Sequence, residues 1–120
     1  MDDKTTISDL KAQVAKFRDE RDWLKFHNPK DLGVAISVES AELQELFLWK
    51  DLRSIKQMLS DEKAARRVRD EMADIGIYLL SLSDVLRVDL SQAIEDKLGV
   101  NARKYPVRKS KGSSKKYDEL

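Results

Sequence analysis

The sequence predicts an all-α protein, a bundle of four main helices. Apolar residues recur at spacings of three and four in four separate segments, the pattern of a helix with one buried face. Residues that favour helix starts precede these segments. Charged residues make up 38% of the chain and no run favours a strand, which fits helices with solvated outer faces. We therefore expect one helical domain over residues 1–106 and a basic tail over residues 107–120.

The first half of the chain contains two of the main helices. Thr6 or Ser8 is placed to cap a helix from residue 7 to about 25, whose apolar positions are Ile7, Leu10, Val14 and Phe17. Pro29 disfavours helix at the residue before it and suits a first turn. A second helix is therefore predicted from about residue 30 to 49.

The second half of the chain contains the other two main helices. Leu52, Ile55 and Leu59 predict a short further helix or a helical connection that ends near Ser60. A third helix follows, which Ser60 or Asp61 caps and which extends to about Arg87. Asp89 caps a fourth helix from about 90 to 104, and Pro106 ends it. The tail lacks apolar periodicity and is expected to be extended or flexible.

Charge is distributed unevenly along the chain. The net charge is +1, but residues 103–120 carry +5 and the rest about −4. An acidic body suits cation binding and argues against broad nucleic-acid binding. The chain contains no cysteine, which excludes thiolate metal sites and cysteine nucleophiles. No segment has the length or apolarity of a membrane span or a signal peptide, so a cytoplasmic protein is expected, and its modest core favours a homo-oligomer.

Two pairs of acidic residues are the principal functional candidates. Glu39 and Glu42 are three residues apart in the second helix, and Glu71 and Asp74 are three apart in the third. Residues three apart share a helix face, and these faces continue into apolar positions. Such spacing also arises on solvated faces, but two pairs on apolar stripes of neighbouring helices predict one cluster of four carboxylates. Buried carboxylates require a cation or hydrogen bonds.

The composition of this cluster indicates a hard divalent ion. Carboxylates without Cys or His partners favour Mg²⁺, with Mn²⁺ as a substitute, and such ions usually meet a phosphate-bearing substrate. The ion lowers the pKa of a bound water, and an acid not fully engaged as a ligand is able to orient or deprotonate that water. No Walker-type glycine pattern is present. We therefore expect metal-assisted hydrolysis of a phosphoanhydride.

Cationic and aromatic residues supply the remaining candidates. Lys97, Asn101 and Lys104 are spaced along one face of the fourth helix and are candidates for phosphate contacts, although a solvated basic face has the same pattern. Trp23, Phe26, His27 and Trp49 are candidates for stacking on a base. Trp49 is the best placed of these, since the predicted helix extends the carboxylate face to it.

Five segments resemble one family. They are ERDWLKFHNPKDL, SVESAELQELFLW, RDEMADIGIYL, DLSQAIEDKLGVNARKYPV and GSSKKYDEL. In this order they resemble the MazG-like all-α nucleoside triphosphate pyrophosphohydrolases, above all the dCTP pyrophosphatase branch, over residues 10 to 120.

The resemblance implies a specific reaction. A nucleoside triphosphate, dCTP or a modified dCTP, is cleaved between the α- and β-phosphates to a monophosphate and pyrophosphate, a reaction that cleans the nucleotide pool. Further implications are Mg²⁺ ligation by Glu39, Glu42, Glu71 and Asp74, and assembly as a dimer or a dimer of dimers. The nucleotide contacts that it implies are Trp23, His27, Trp49, Tyr78, Lys97 and Asn101. Animal members of the branch carry a base-facing histidine where this chain has Val14.

Two other functions remain as alternatives. A non-catalytic helical interaction or regulatory module would show no thermal stabilisation by Mg²⁺ and nucleotide, whereas an enzyme would. A basic tail acting as a nucleic-acid arm would give salt-dependent DNA binding that is lost on deleting residues 107–120.

Overall fold

A computed structural model describes all 120 residues and confirms the all-α prediction. The chain contains no strand and forms six α-helices with two short 3₁₀ segments. The 3₁₀ segments are Leu24–Phe26 and Tyr117–Glu119. The helices are α1 (Ile7–Glu20), α2 (Pro29–Glu45), α3 (Leu52–Leu59), α4 (Glu62–Val85), α5 (Leu90–Lys104) and α6 (Val107–Ser110). The four predicted main helices are α1, α2, α4 and α5, and α3 is the predicted connection.

The helix starts follow the capping chemistry of the sequence. The Thr6 hydroxyl accepts a hydrogen bond from the Asp9 backbone N–H at 3.0 Å, and the Asp9 carboxylate accepts one from the Thr6 N–H at 2.9 Å, a reciprocal capping box. Asn28 caps α2 ahead of Pro29. Asp51, Asp61 and Asp89 cap α3, α4 and α5 through their side chains. Each cap satisfies an otherwise unpaired N–H group.

Two helices end earlier than predicted. The first ends at Glu20 rather than near residue 25, because Asp22 takes a left-handed backbone conformation with φ of 54°. The second ends at Glu45 rather than at residue 49, because the next residues form tighter turns and Trp49 is left-handed with φ of 62°. Apolar spacing alone does not detect these ends, since apolar residues continue past both.

Residues 1–87 form the first of two compact units, and α4 is its central helix. Helices α1, α2 and α3 all pack against α4, with α2 making the largest interface. Only two apolar residues, Leu32 of α2 and Leu80 of α4, are buried. Arg18, Ser81 and Ser83 are buried as well. The interior at α4 is therefore small and partly polar.

Residues 88–120 form the second unit. The expectation of an extended tail is wrong for part of it, because the tail contains α6 and a 3₁₀ segment. Tyr117 packs edge-on against Tyr105, with ring centroids 6.1 Å apart, and the Lys104 ammonium lies 4.8 Å from the Tyr117 centroid. Ring and cation contacts of this kind leave no periodic trace in a sequence. The division into a domain of 1–106 and a tail of 107–120 stays a prediction.

None of the helices combines the length and the apolarity that crossing a membrane requires. The cytoplasmic location stays a prediction.

Candidate active site

Three of the four predicted acids meet between α2 and α4. One carboxylate oxygen from each of Glu39, Glu42 and Glu71 lies within 4.8 Å of the others. Glu39 and Glu42 face the same way because they are one turn apart on α2, and α4 brings Glu71 against them. Glu39 and Glu71 are half-buried, and Glu42 is exposed. The predicted convergence of the two helices is therefore confirmed for these three residues.

The carboxylate cluster carries unsatisfied negative charge. Oε2 of Glu39 and Oε2 of Glu71 are buried without a hydrogen-bond partner. Burial raises the pKa of the Glu39 carboxyl to about 7, and the adjacent carboxyls of Glu42 and Glu71 and the charge of Asp74 add to this shift. Buried acceptors without partners are costly. A bound divalent cation would satisfy both oxygens, so this donor set fits a metal site.

Asp74 and Tyr78 continue along α4 beyond the cluster. Both side chains are half-buried, and Asp74 is one turn after Glu71. Asp74 is close enough for its charge to raise the pKa of Glu39, yet its carboxylate is not among the three within 4.8 Å. Its role as a ligand stays a prediction, as does nucleotide binding by Tyr78.

A cleft with a volume of about 570 Å³ opens beside the carboxylates. Its size falls within the ~300–1,000 Å³ range of small-molecule sites. Glu42 and Glu71 line it, and so do two cations that the sequence reasoning did not select, Lys50 and Arg67. A signal for Arg67 was present, because it precedes Glu71 by four residues and therefore shares its face. Lys50 lies past the end of α2, so helical spacing does not predict which residues its side chain approaches.

Trp23 and His27 lie in the connection between α1 and α2. The Trp23 ring packs edge-on against Phe17 with centroids 5.9 Å apart, and 43% of Trp23 remains exposed. Nδ1 of His27 is buried without a partner. Burial lowers the pKa of His27, and the charge of Arg18 lowers it further. His27 therefore holds a neutral imidazole with an unused polar atom, and its nucleotide-binding role stays a prediction.

The placement of Trp49 on the carboxylate face is wrong. Because α2 ends at Glu45, Trp49 lies in the following turn, with 94% of its side chain exposed. Base contact by Trp49 stays a prediction that no longer has helical spacing to support it.

Lys97, Asn101 and Lys104 lie on α5 in the second unit. Lys97 and Lys104 are exposed and Asn101 is half-buried. They share a face as predicted, and Lys104 is the one that contacts Tyr117. Phosphate contact by these residues stays a prediction.

The first unit thus combines a carboxylate cluster suited to a metal ion with an adjacent cleft that contains cations. These features are found in an all-α chain, so the fold differs from the α/β folds that bind phosphates through a P-loop.

The sequence comparison identifies the family. Residues 34–120 match the sequence model of the MazG-like family, and this range contains all four predicted acids. The chain belongs to the MazG-like family.

Curated proteins similar to this chain include mammalian dCTP pyrophosphatases. The chain is 40% identical to dCTP pyrophosphatase 1 of Bos taurus over 115 residues, which cover 96% of this chain and 68% of that protein. The Homo sapiens protein of the same name is also 40% identical, with the same coverage of each chain. These relatives confirm the predicted resemblance to the dCTP pyrophosphatase branch and the prediction of an enzyme.

A solved structure supports the same assignment. The crystal structure of a pyrophosphatase from Archaeoglobus fulgidus superimposes with a TM-score of 0.73 at 43% identity. The match covers 79% of this chain and 87% of the archaeal one. The all-α fold is therefore that of a known pyrophosphatase.

Proposed function

We propose that this protein hydrolyses a deoxynucleoside triphosphate, dCTP or a modified dCTP, to the monophosphate and pyrophosphate in a Mg²⁺-dependent reaction. The observation that carries the proposal is the cluster of three carboxylates within 4.8 Å, in a chain 40% identical to dCTP pyrophosphatases. The biological role proposed is cleaning of the nucleotide pool.

Glu39, Glu42 and Glu71 are the proposed ligands of the metal ion. Their oxygens suit Mg²⁺, with Mn²⁺ as a substitute, because both ions prefer oxygen donors. The two buried oxygens without partners support this choice over a role in folding alone. When bound, the ion supplies Lewis-acid charge for the phosphates and lowers the pKa of a coordinated water.

Asp74 is proposed to act on the attacking water. It lies one turn beyond Glu71 and outside the set of three, so its carboxylate is the one of the four left to orient or deprotonate water. The water oxygen attacks the α-phosphorus, the bond to the bridging oxygen of the β-phosphate breaks, and pyrophosphate leaves. The proton passes to the carboxylate.

The nucleoside half is proposed to contact the aromatic residues. Trp23 offers a partly exposed ring, and His27 offers a neutral imidazole with an unused nitrogen. Tyr78 is half-buried on α4 beyond the acids. Trp49, Lys97 and Asn101 complete the nucleotide contacts that the family resemblance implies. Lys104 is added as a candidate for phosphate contact because it shares a face of α5 with Lys97 and Asn101.

A second copy of the chain is proposed as the protein partner, in a homodimer or a homotetramer. Val34 and Val38 are one turn apart on α2 and are 56% and 50% exposed, while only two apolar residues are buried. A second copy covering this face would remove apolar surface from water. Light scattering across a dilution series measures the assembly, and a monomer at every concentration would contradict it.

One turnover assay tests both the substrate and the bond that is cleaved. The purified protein with Mg²⁺ is given dCTP, 5-modified dCTPs, dTTP, dUTP and the purine deoxynucleoside triphosphates, and the products are separated by chromatography. We expect monophosphate and pyrophosphate, with cytosine substrates turned over fastest. Diphosphate and phosphate as products would contradict the proposed bond. No turnover of any substrate would favour the non-catalytic module.

A further inference from the structure

We propose that Lys50 and Arg67 bind the β- and γ-phosphates of the substrate, the half that leaves as pyrophosphate. This inference rests on the proposed function and extends it to two residues of the first unit. It assigns the charged cleft beside the carboxylates to the phosphates and leaves the base to another part of the site.

The lining of the cleft supports phosphates as its occupant. Lys50 and Arg67 share it with Glu42 and Glu71, and no aromatic side chain contributes to it. A base would gain little here, since bases are held largely by stacking on rings. Phosphate oxygens suit cations that lie next to a site for a divalent metal.

Both cations are available to a ligand. Arg67 is one turn before Glu71 on α4, a spacing that allows an ion pair, yet no ion pair joins them. Arg66, its neighbour, does pair with Glu62 at 3.6 Å. No hydrogen bond or ion pair involves the Lys50 ammonium or the Arg67 guanidinium. Neither cation is therefore already engaged by the carboxylates.

The backbone around Lys50 places it at the cleft. Trp49 holds a left-handed conformation, which residues other than glycine rarely adopt. The Lys50 N–H donates to the Phe47 carbonyl at 3.1 Å, and Asp51 then caps α3. Lys50 is therefore fixed between a turn and a helix start. Strained conformations of this kind cluster at ligand-binding sites.

Calorimetric titration of inorganic pyrophosphate with Mg²⁺ into the full-length protein tests the inference without turnover. We expect Arg67→Ala and Lys50→Ala each to weaken binding about tenfold, because a hydrogen bond to a charged group is lost. Arg67→Lys should keep part of the affinity. The controls are Arg69→Ala on α4 and Lys56→Ala on α3, exposed cations outside the cleft, and both should bind like the wild type.

The outcomes separate this inference from the proposed function. Equal pyrophosphate affinity in Arg67→Ala, Lys50→Ala and the wild type would overturn the inference, as would no binding by the wild type or an equal loss in the controls. Weakened binding in the two variants would support a pyrophosphate site at Lys50 and Arg67 even in a protein that turns over no triphosphate, and that lack of turnover would overturn the proposed function alone. In an active enzyme, Arg67→Ala should raise KM about tenfold, and thermal melting confirms that each variant folds.

Discussion

Two groups of partly buried charges on α4 differ in how they are satisfied. Near the end of α4, Asp84 accepts a hydrogen bond from the buried Arg18 guanidinium at 2.7 Å, and Asp19 accepts another at 2.9 Å. Near its middle, Glu71 meets Glu39 and Glu42, and no protein cation pairs with them. The charges of the first group are paired within the chain, whereas the carboxylates of the second group have no cationic partner.

From this difference we assign the first group a structural role and identify the second with the proposed metal site. The Arg18 cluster raises the pKa of the guanidinium through the hydrogen bond with Asp19, partly opposed by burial, and joins α1 to α4. The Glu71 cluster has gathered like charges, which is unfavourable for folding alone. Such an arrangement is expected where binding of a cation compensates the repulsion.

The largest expected effect tests the functional group. Glu71→Gln should lower the rate of pyrophosphate release at least about 100-fold, since loss of a metal ligand removes several kcal/mol of transition-state stabilisation. Asp70→Asn, an exposed neighbour on α4, is the control and should keep its activity. A fully active Glu71→Gln enzyme would remove Glu71 from the site.

The structural group is tested by stability. Asp84→Asn should lower the free energy of unfolding by about 2 kcal/mol, because it leaves the buried Arg18 with one anionic partner. This value is below that of a fully buried ion pair because Asp84 is partly exposed. Urea unfolding measures the change. Glu20→Gln removes an exposed pair with Lys16 and should cost below ~0.5 kcal/mol. Equal stability of Asp84→Asn and the wild type would contradict the structural role.

Stabilisation by added metal ion distinguishes the two groups of charges directly. Mg²⁺ at ten times its Kd should stabilise the wild type by about 1.4 kcal/mol, a rise in melting temperature of about 5 °C. Asp84→Asn should show the same rise from a lower starting point, and Glu71→Gln should show a smaller one. A rise that persists undiminished in Glu71→Gln would place the metal elsewhere.

The smallest expected effect is a pH dependence of the metal-free protein. The folded pKa of Glu39 is raised to about 7 from an ordinary 4.5, so the folded state retains a proton that the unfolded state has lost. Stability from this group is present below pH 4.5 and is lost as the pH rises to 7. With EDTA present, the melting temperature of the wild type should therefore fall relative to that of Glu39→Gln over this range. Parallel pH profiles would contradict the raised pKa.

Periodic spacing determined much of the fold and part of the site. The four main helices, the caps at Thr6, Asp61 and Asp89, and the pairing of acids on α2 and α4 were all predictable. Each depends on local chemistry or on positions three and four apart, which a sequence displays directly. Resemblance added the family, which the comparisons confirmed.

Only the tertiary structure decided which charges are satisfied. Left-handed residues at Asp22 and Trp49 end helices that apolar spacing extends too far, and the second of these moves Trp49 off the carboxylate face. The pairing of Arg18 with Asp84 spans 66 residues, and Lys50 reaches its cleft past the end of a helix. Contacts between residues distant in the chain leave no periodic signal. Only the packed helices therefore show that the charges around Arg18 are paired and that the carboxylates around Glu71 are not.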